Sequence, residues 1–446
     1  MDYTDTTKQE TINKLNNYFI WFIATVIFYG AFRKWFLPGL SSIIYFAPDI
    51  FIVYIYYYAI KNRLFPVKNL DKLFYIIFIG LLFLAIIQGL IYGSVIVTIF
   101  GWRNYCLILP MVVLMYTYLD EKSLNKLSVF FCYVAIPTGI LVFVQSNSPM
   151  DSFINRSVGE GANQRIFVVV KDVVRTTGFF SFNTGHSLFT FGALGLFIFQ
   201  LFRKEDRLSI WILIATGVSI LVSVVVSGSR GNFVVTGLGC CVFIISQLGT
   251  IKYKRSFYTL FVAVFVLIIG YLFVTLFLSN KIDNINERFE TGDSFETRIS
   301  GLFSLIDKPF YVNLPYLGYG LGISSPGAKA GLGEAMAIDF AFEHEWSRFM
   351  VECGIVIGIT LILFRIFLAC LMVRNGVKAF LVSRNPGTIV LVSVFFTTLL
   401  IGQMSMNALT MHFGWFFFAV ITAMYRVYVV EQNQDLKLQE EDKENG

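Results

Sequence analysis

The 446-residue chain is 56% hydrophobic and only 14% charged, with 48 Phe and 22 Tyr, whereas an ordinary soluble domain is about 25% charged. With a mean hydropathy of +0.69, the chain cannot supply a polar surface, which excludes disorder, coiled coil, collagen and small disulfide scaffolds. The net charge of +6 comes without a basic tract interleaved with aromatics, so nucleic acid is set aside as a partner and an all-α, polytopic membrane helix bundle remains.

Residues 1–17 are polar and mixed in charge and lack the short apolar core and small-residue cleavage site of a signal peptide. They are expected to be a cytoplasmic N-terminus ahead of a membrane domain at 18–430. Apolar runs long enough to span begin near Tyr18, Ser42, Lys72, Arg103, Leu127, Phe180, Leu208, Asn232, Phe257, Met350, Gly387 and His412, about 12 in all. With the N-terminus inside, short inner loops collect Lys61, Arg63, Lys68, Lys72, Lys122, Lys126, Arg203, Lys204 and Arg207. Lys252, Lys254, Arg255, Arg374, Lys378 and Arg384 join them, while the short outer loops at 92–94 and 405–410 carry no Lys or Arg. This bias predicts an even span count with both termini in the cytoplasm.

Two outer loops are long, about 147–178 and about 280–348, and loops of that length are usually functional or disordered. The second lies between spans nine and ten. It holds a Gly-rich stretch at 317–333 and an acidic, aromatic stretch at 335–349 that is expected to form an interfacial amphipathic helix. The tail at 431–446 is charged and aperiodic and is expected to be a disordered cytoplasmic segment. No internal repeat is present, unlike many transporters with 12 spans. Cys106, Cys132, Cys240, Cys241, Cys353 and Cys370 lie in or at the ends of apolar runs without metal or redox spacing. Neither a structural disulfide, a metal site nor a cofactor is expected.

The informative residues are cations on the outer side: Arg33 and Lys34 ending span one, Arg103, Arg175, Arg230 in Ser227-Gly228-Ser229-Arg230-Gly231, and Arg298 and His344 in the second long loop. Charges at membrane depth are costly and tend to be paired or functional. Asp49 is expected to pair with Arg33, Lys34 or Arg103; Arg365 to snorkel inward; His186 and His412 to satisfy local hydrogen bonds. Arg33, Lys34 and Arg103 can each also snorkel to the interface. Several guanidinium groups gathered at one membrane face suit a diphosphate, because each offers a planar fork to phosphate oxygens. A polyprenyl diphosphate puts such an anion at the bilayer edge.

The Ser227–Gly231 turn resembles the Ser-x-Ser-Arg turn of the bacterial O-antigen ligase and O-antigen polymerase family. Arg298, Leu302, Ile306 and Pro309, followed by Gly318-Tyr319-Gly320-Leu321-Gly322, resemble the family's Arg-containing helix and Gly-rich turn. His344-Glu345-Trp346 with Glu352-Cys353-Gly354 is similar to its loop His and Glu-x-Gly, although the ligase type often has Asn where Glu345 stands. Arg175-Thr176-Thr177-Gly178-Phe179-Phe180 and Gly30-Ala31-Phe32-Arg33-Lys34-Trp35 complete a resemblance that covers about 30–418.

The resemblance implies a metal-independent, inverting membrane glycosyltransferase of the bacterial cytoplasmic (inner) membrane, acting on its extracytoplasmic side. The donor would be a glycan on undecaprenyl diphosphate and the acceptor a glycan or lipid. Membrane lipids and a chain-length or polysaccharide-export protein would be its partners. Arg230 and Arg298 would hold the diphosphate and His344 would act as base. Arg175, Arg103 and Arg33 would contact substrate, and Glu345 and Glu352 would orient His344 or an Arg. Polymerisation of an O-antigen or exopolysaccharide is preferred over ligation to lipid A-core or another acceptor. A lipid-linked sugar flippase or transporter and an envelope scaffold remain as alternatives.

Overall fold

The computed structural model describes residues 3–158, 168–169, 173–203, 205–248, 314–323 and 345–431. The expected span near Phe257, most of the segment 280–348 with Arg298 and His344, and the tail at 432–446 lie outside the described residues. Within them the chain is helical apart from a two-residue antiparallel ladder, β1 (Val168–Val169) with β2 (Val173–Val174).

Among the described residues, nine helical stretches are long and apolar enough to cross a membrane. The first, Thr7–Phe36, joins α1 (Tyr3–Ala31) to a π-helical turn, Phe32–Phe36. Residues 3–17, expected as a separate polar segment, are thus continuous with the first helix. After α2 (Ser41–Ile44) come α3 (Ala47–Lys61) and α4 (Asn69–Tyr92). The next span, Val95–Tyr118, is broken into α5 (Val95–Cys106) and α6 (Leu109–Tyr118). The break follows from Pro110, which has no N–H to donate back along the helix. The Tyr56 hydroxyl bridges the break, donating to the carbonyl of Leu107 and accepting from Met111 N at 3.2 Å.

The chain continues through α7 (Glu121–Asn147), α8 (Asn183–Leu201), α9 (Ile210–Val226) and α10 (Arg230–Leu248). The last four described α-helices are α11 (Glu345–Cys353), α12 (Ile355–Ser383), α13 (Gly387–Ile401) and α14 (Ala408–Tyr425), the last continued by a π-helical stretch, Arg426–Glu431. Helices α9 and α13 are apolar but shorter than the other spans.

Helix α8 is the axis of the bundle, packed by α7, α9, α10, α13 and α14. From Gly185 to Leu201 its polar side chains are buried with its apolar ones. In lipid, helices associate by close packing rather than by escape from water, and aromatic stacking supplies much of it here. The rings of Phe395 and Phe417 stack at 4.2 Å, and those of Phe131 and Phe189 at 5.4 Å. Large apolar side chains such as Trp21, Phe83, Leu90, Ile96, Trp211 and Val356 point outward. A soluble monomer rarely shows so much exposed apolar surface.

Polar side chains tie the helix ends into two layers. At one, Asn16 Nδ2 donates to Tyr118 O at 3.0 Å, Asn385 Nδ2 to Phe199 O at 3.0 Å, and Arg203 pairs with Glu121 at 3.2 Å. Lys61, Lys68, Lys72, Lys122, Lys126 and Arg384 fall at this end. The other layer holds the ends of α1 and α9 and the starts of α3, α8, α10 and α14; it carries Arg230 and the candidate site.

Candidate functional site at the Arg230 end

The turn between α9 and α10 is built by its small residues. Ser227 continues the helical backbone of α9, and Gly228 takes φ of +60°, a left-handed conformation that only glycine adopts cheaply. Ser227 Oγ accepts from Ser229 N at 3.2 Å and Ser229 Oγ accepts from Asn232 N at 3.3 Å. Ser229 therefore acts as the N-cap of α10. Arg230 is fixed in the first turn, half-buried, where the helix dipole adds positive potential.

The segment 175–182 lies against this turn. Thr176 Oγ1 donates to Val226 O at 3.1 Å, and Asn183 Nδ2 donates to both Ser227 O (2.9 Å) and Thr176 O (3.0 Å). Gln145 Oε1 accepts from Thr177 N and Gly178 N at 3.2 and 2.9 Å. Arg175 is thereby held beside Arg230. Burial first, and then the Arg230 charge, keep the Arg175 guanidinium below its usual range. Arg175 Nε is buried without a hydrogen-bond partner among the described residues.

The same segment binds the end of α1. Lys34, 1% exposed, donates from Nζ to Thr177 Oγ1 at 2.9 Å and to Gly178 O at 2.6 Å, and stacks on the Trp35 ring. Arg33 donates from Nε to Ser41 O and Oγ (3.0 and 3.2 Å) and from Nη1 to Ser181 Oγ at 3.2 Å. Arg33, Lys34, Arg175 and Arg230 thus all engage one short segment and its neighbouring turn.

Arg103 is differently employed. Its guanidinium donates to Asp49 Oδ2 (2.8 Å from Nε), to Asn104 Oδ1 at 2.7 Å and to Tyr45 OH at 3.2 Å. It is sandwiched among the rings of Tyr45, Phe46 and Phe100. Asp49 is thus the partner of Arg103, out of the three cations considered, and the Arg103 charge is already matched. His412 Nε2 stands 3.9 Å from Asp49 Oδ1, beyond hydrogen-bond distance, and neither of its ring nitrogens makes the local hydrogen bond expected of it among the described residues.

The two glutamates also have structural partners. Glu345 accepts from Ser405 N at 2.7 Å and Ser405 Oγ at 2.9 Å, and pairs with Arg365 at 3.4 Å. Burial pushes its pKa up, against the opposing pull of Arg365 and the Ser405 bonds. Arg365 does not snorkel: it is buried and donates to the carbonyls of Leu399, Thr398 and Gly402 at the end of α13. Glu352 accepts from Tyr105 OH at 2.8 Å and Gly322 N at 2.9 Å and lies 3.7 Å from Arg348.

Residues 314–323 dock onto this cluster. Gln88 Nε2 donates to Glu352 O at 2.8 Å and to Leu317 O, and its Oε1 accepts from Leu321 N at 2.9 Å. Tyr92 OH donates to Gly318 O at 2.6 Å. Gln88 and Gln145, which hold these two segments, escaped the sequence reading because neither carries charge. Their signal is an uncharged amide within an apolar run, which needs a partner at membrane depth.

The fold and this end together define a multi-pass helical membrane protein with a fixed, cation-rich cap. The chain matches no protein-family model, and no curated protein or solved structure is significantly similar to it. Among the described residues no group of three or more His, Cys, Asp or Glu is arranged to hold a metal ion.

Proposed function

We propose that the chain is a membrane glycosyltransferase of the polymerase type, which moves a glycan from undecaprenyl diphosphate to a sugar acceptor in surface-polysaccharide synthesis. In this reading it has about 12 spans, a large extracytoplasmic loop between spans nine and ten, and the Arg230 end facing outside the bacterial cytoplasmic membrane. The motifs quoted above supply the reaction class. The observation that carries the reading is the Arg175–Arg230 pair. Two like charges are held side by side and half-buried by a glycine-dependent turn, at a helix N-terminus, in a bundle whose sides face lipid. Two neighbouring guanidinium groups attract an anion, and helix N-termini are suited to phosphate.

The reaction then needs few parts. An acceptor hydroxyl attacks the anomeric carbon as its bond to the diphosphate oxygen breaks, and the lipid diphosphate leaves. The hydroxyl proton passes to a base, a role assigned to His344. Arg230 and Arg175, with Arg298, offset the charge growing on the leaving group. Removing one such electrostatic partner typically costs about 100-fold in rate. Replacing Arg175, Arg230, Arg298 or His344 with Ala, at matched expression, is expected to abolish surface glycan and accumulate lipid-linked precursor on the outer leaflet. Unchanged glycan in all four variants contradicts the reading. Precursor trapped on the inner leaflet points instead to flipping.

A further inference from the structure

A cavity of about 680 Å³ is bounded by α1 and the π-helical turn after it, α2 and the two residues that follow it, α5, the residues just before α8, and the start of α14 with the loop before it. The volume is in the range of small-molecule sites, roughly 300–1,000 Å³. Its wall combines the rings of Tyr45, Phe46, Phe100 and Phe182 with the hydroxyls of Ser42 and Ser181 and the amides of Asn104 and Asn407. Arg33 is the one cation among the described lining residues, and none of them is Asp, Glu, His or Cys.

We infer that this cavity is a sugar-binding site, which holds the carbohydrate rings of the lipid-linked donor. The inference rests on the glycan-transfer reading and names where the glycan sits. Three features of the wall favour a sugar over other ligands. A polyprenyl tail would leave the hydroxyls and amides without partners, which is costly at a dehydrated wall. A diphosphate would want more than one cation, and Arg33 already gives Nε to Ser41 and Nη1 to Ser181. A sugar ring uses both kinds of surface, its C–H face on an aromatic ring and its hydroxyls on fixed polar groups. Asn104 and Asn407 are fixed in this way: Oδ1 of the first accepts from Arg103 at 2.7 Å and Oδ1 of the second from Leu409 N at 3.0 Å, which orients each amide NH2. The described wall thus offers rings, hydroxyls and amides, the groups that bind a sugar.

Its position fits a donor. Ser181 and Phe182 in the wall belong to the same segment as Arg175, and six residues of extended chain reach at most about 20 Å. A diphosphate clasped by Arg175 and Arg230 would therefore leave its attached sugars within reach of the cavity.

The test uses the purified full-length protein in detergent and native mass spectrometry with two probes. One is undecaprenyl diphosphate, and the other is the lipid-linked oligosaccharide pool extracted from the producing cells. Ser42→Trp fills the cavity from its exposed rim and Phe182→Ala removes an exposed ring, so that one variant serves if the other fails to fold. Both are expected to weaken binding of the lipid-linked oligosaccharide by about tenfold or more while undecaprenyl diphosphate binds within about twofold of wild type. If both variants bind the oligosaccharide lipid as wild type does, while Arg230→Ala loses both lipids, the cavity assignment is overturned and the parent reading stands. If the wild-type protein binds neither lipid, the parent reading falls and takes the cavity with it.

Discussion

At the scale of single residues, the Arg230 end holds a buried pair of opposite charges. Arg103 and Asp49 are matched, and removing either leaves the other buried. Arg103→Ala is expected to cost about 3 kcal/mol or more of stability, by the logic that a lone buried ion is worse than no pair. Arg103→Met combined with Asp49→Leu should recover much of that loss, as read by thermal unfolding of the detergent-solubilised protein. A double variant as unstable as the single one would show that the pair does more than neutralise itself. Glu345 gives a pH-dependent test. Because burial raises its pKa, the folded protein holds this proton more tightly than the unfolded chain. Stability is therefore fully present below the ordinary carboxylate range and declines as pH rises through the raised value. Glu345→Gln should flatten that decline, whereas an unchanged slope would assign it to another group. The sequence showed that these charges sit at membrane depth and that Asp49 needs a partner. It could not show which cation takes it, because α3 and α5 meet only in three dimensions.

At the scale of elements, glycines govern how segments approach. Gly354, between α11 and α12, has φ of +80°, and a Cβ there would lie 2.0 Å from Tyr316 O. Gly93, at the end of α4, has φ of +74° with nothing within 4 Å of that position. Gly93→Ala should therefore cost only the conformational term, about 1–2 kcal/mol. Gly354→Ala must in addition displace the docked backbone of 314–323, and should lower the unfolding temperature further. Equal losses would mean that this docking contributes little. The Gly318–Gly322 run was legible as a glycine-rich turn, but its role as a plug against Gln88, Tyr105 and Glu352 was not, since those partners are spread over more than 260 residues of sequence. The π-helical turn at Phe32–Phe36 was equally hidden.

At the scale of the whole molecule, composition and hydropathy were enough for the class. The helical membrane bundle followed from apolar runs; most of the described helices begin close to where those runs do, but the first begins at Tyr3 rather than Tyr18 and the fourth span at Val95 rather than Arg103. The short spans α9 and α13 begin within two residues of the expected Leu208 and Gly387, whereas the break at Pro110 was not read. The alternation of helix ends makes a labelling prediction. In a cysteine-free background, Ser94→Cys at the Arg230 end should react with an impermeant maleimide on intact cells. Glu205→Cys at the opposite end should react only after permeabilisation. The reverse pattern would turn the site towards the cytoplasm and remove an extracytoplasmic transferase from consideration.

The central claim is that Arg175 and Arg230 together clasp a diphosphate. Its most direct measurement is the affinity of purified wild-type, Arg175→Ala and Arg230→Ala proteins for undecaprenyl diphosphate, with undecaprenyl monophosphate as the control. Each substitution is expected to weaken diphosphate binding by about tenfold or more, as loss of one charge-assisted contact does, and to shrink the preference for diphosphate over monophosphate. Wild-type affinity retained in both variants would contradict the claim.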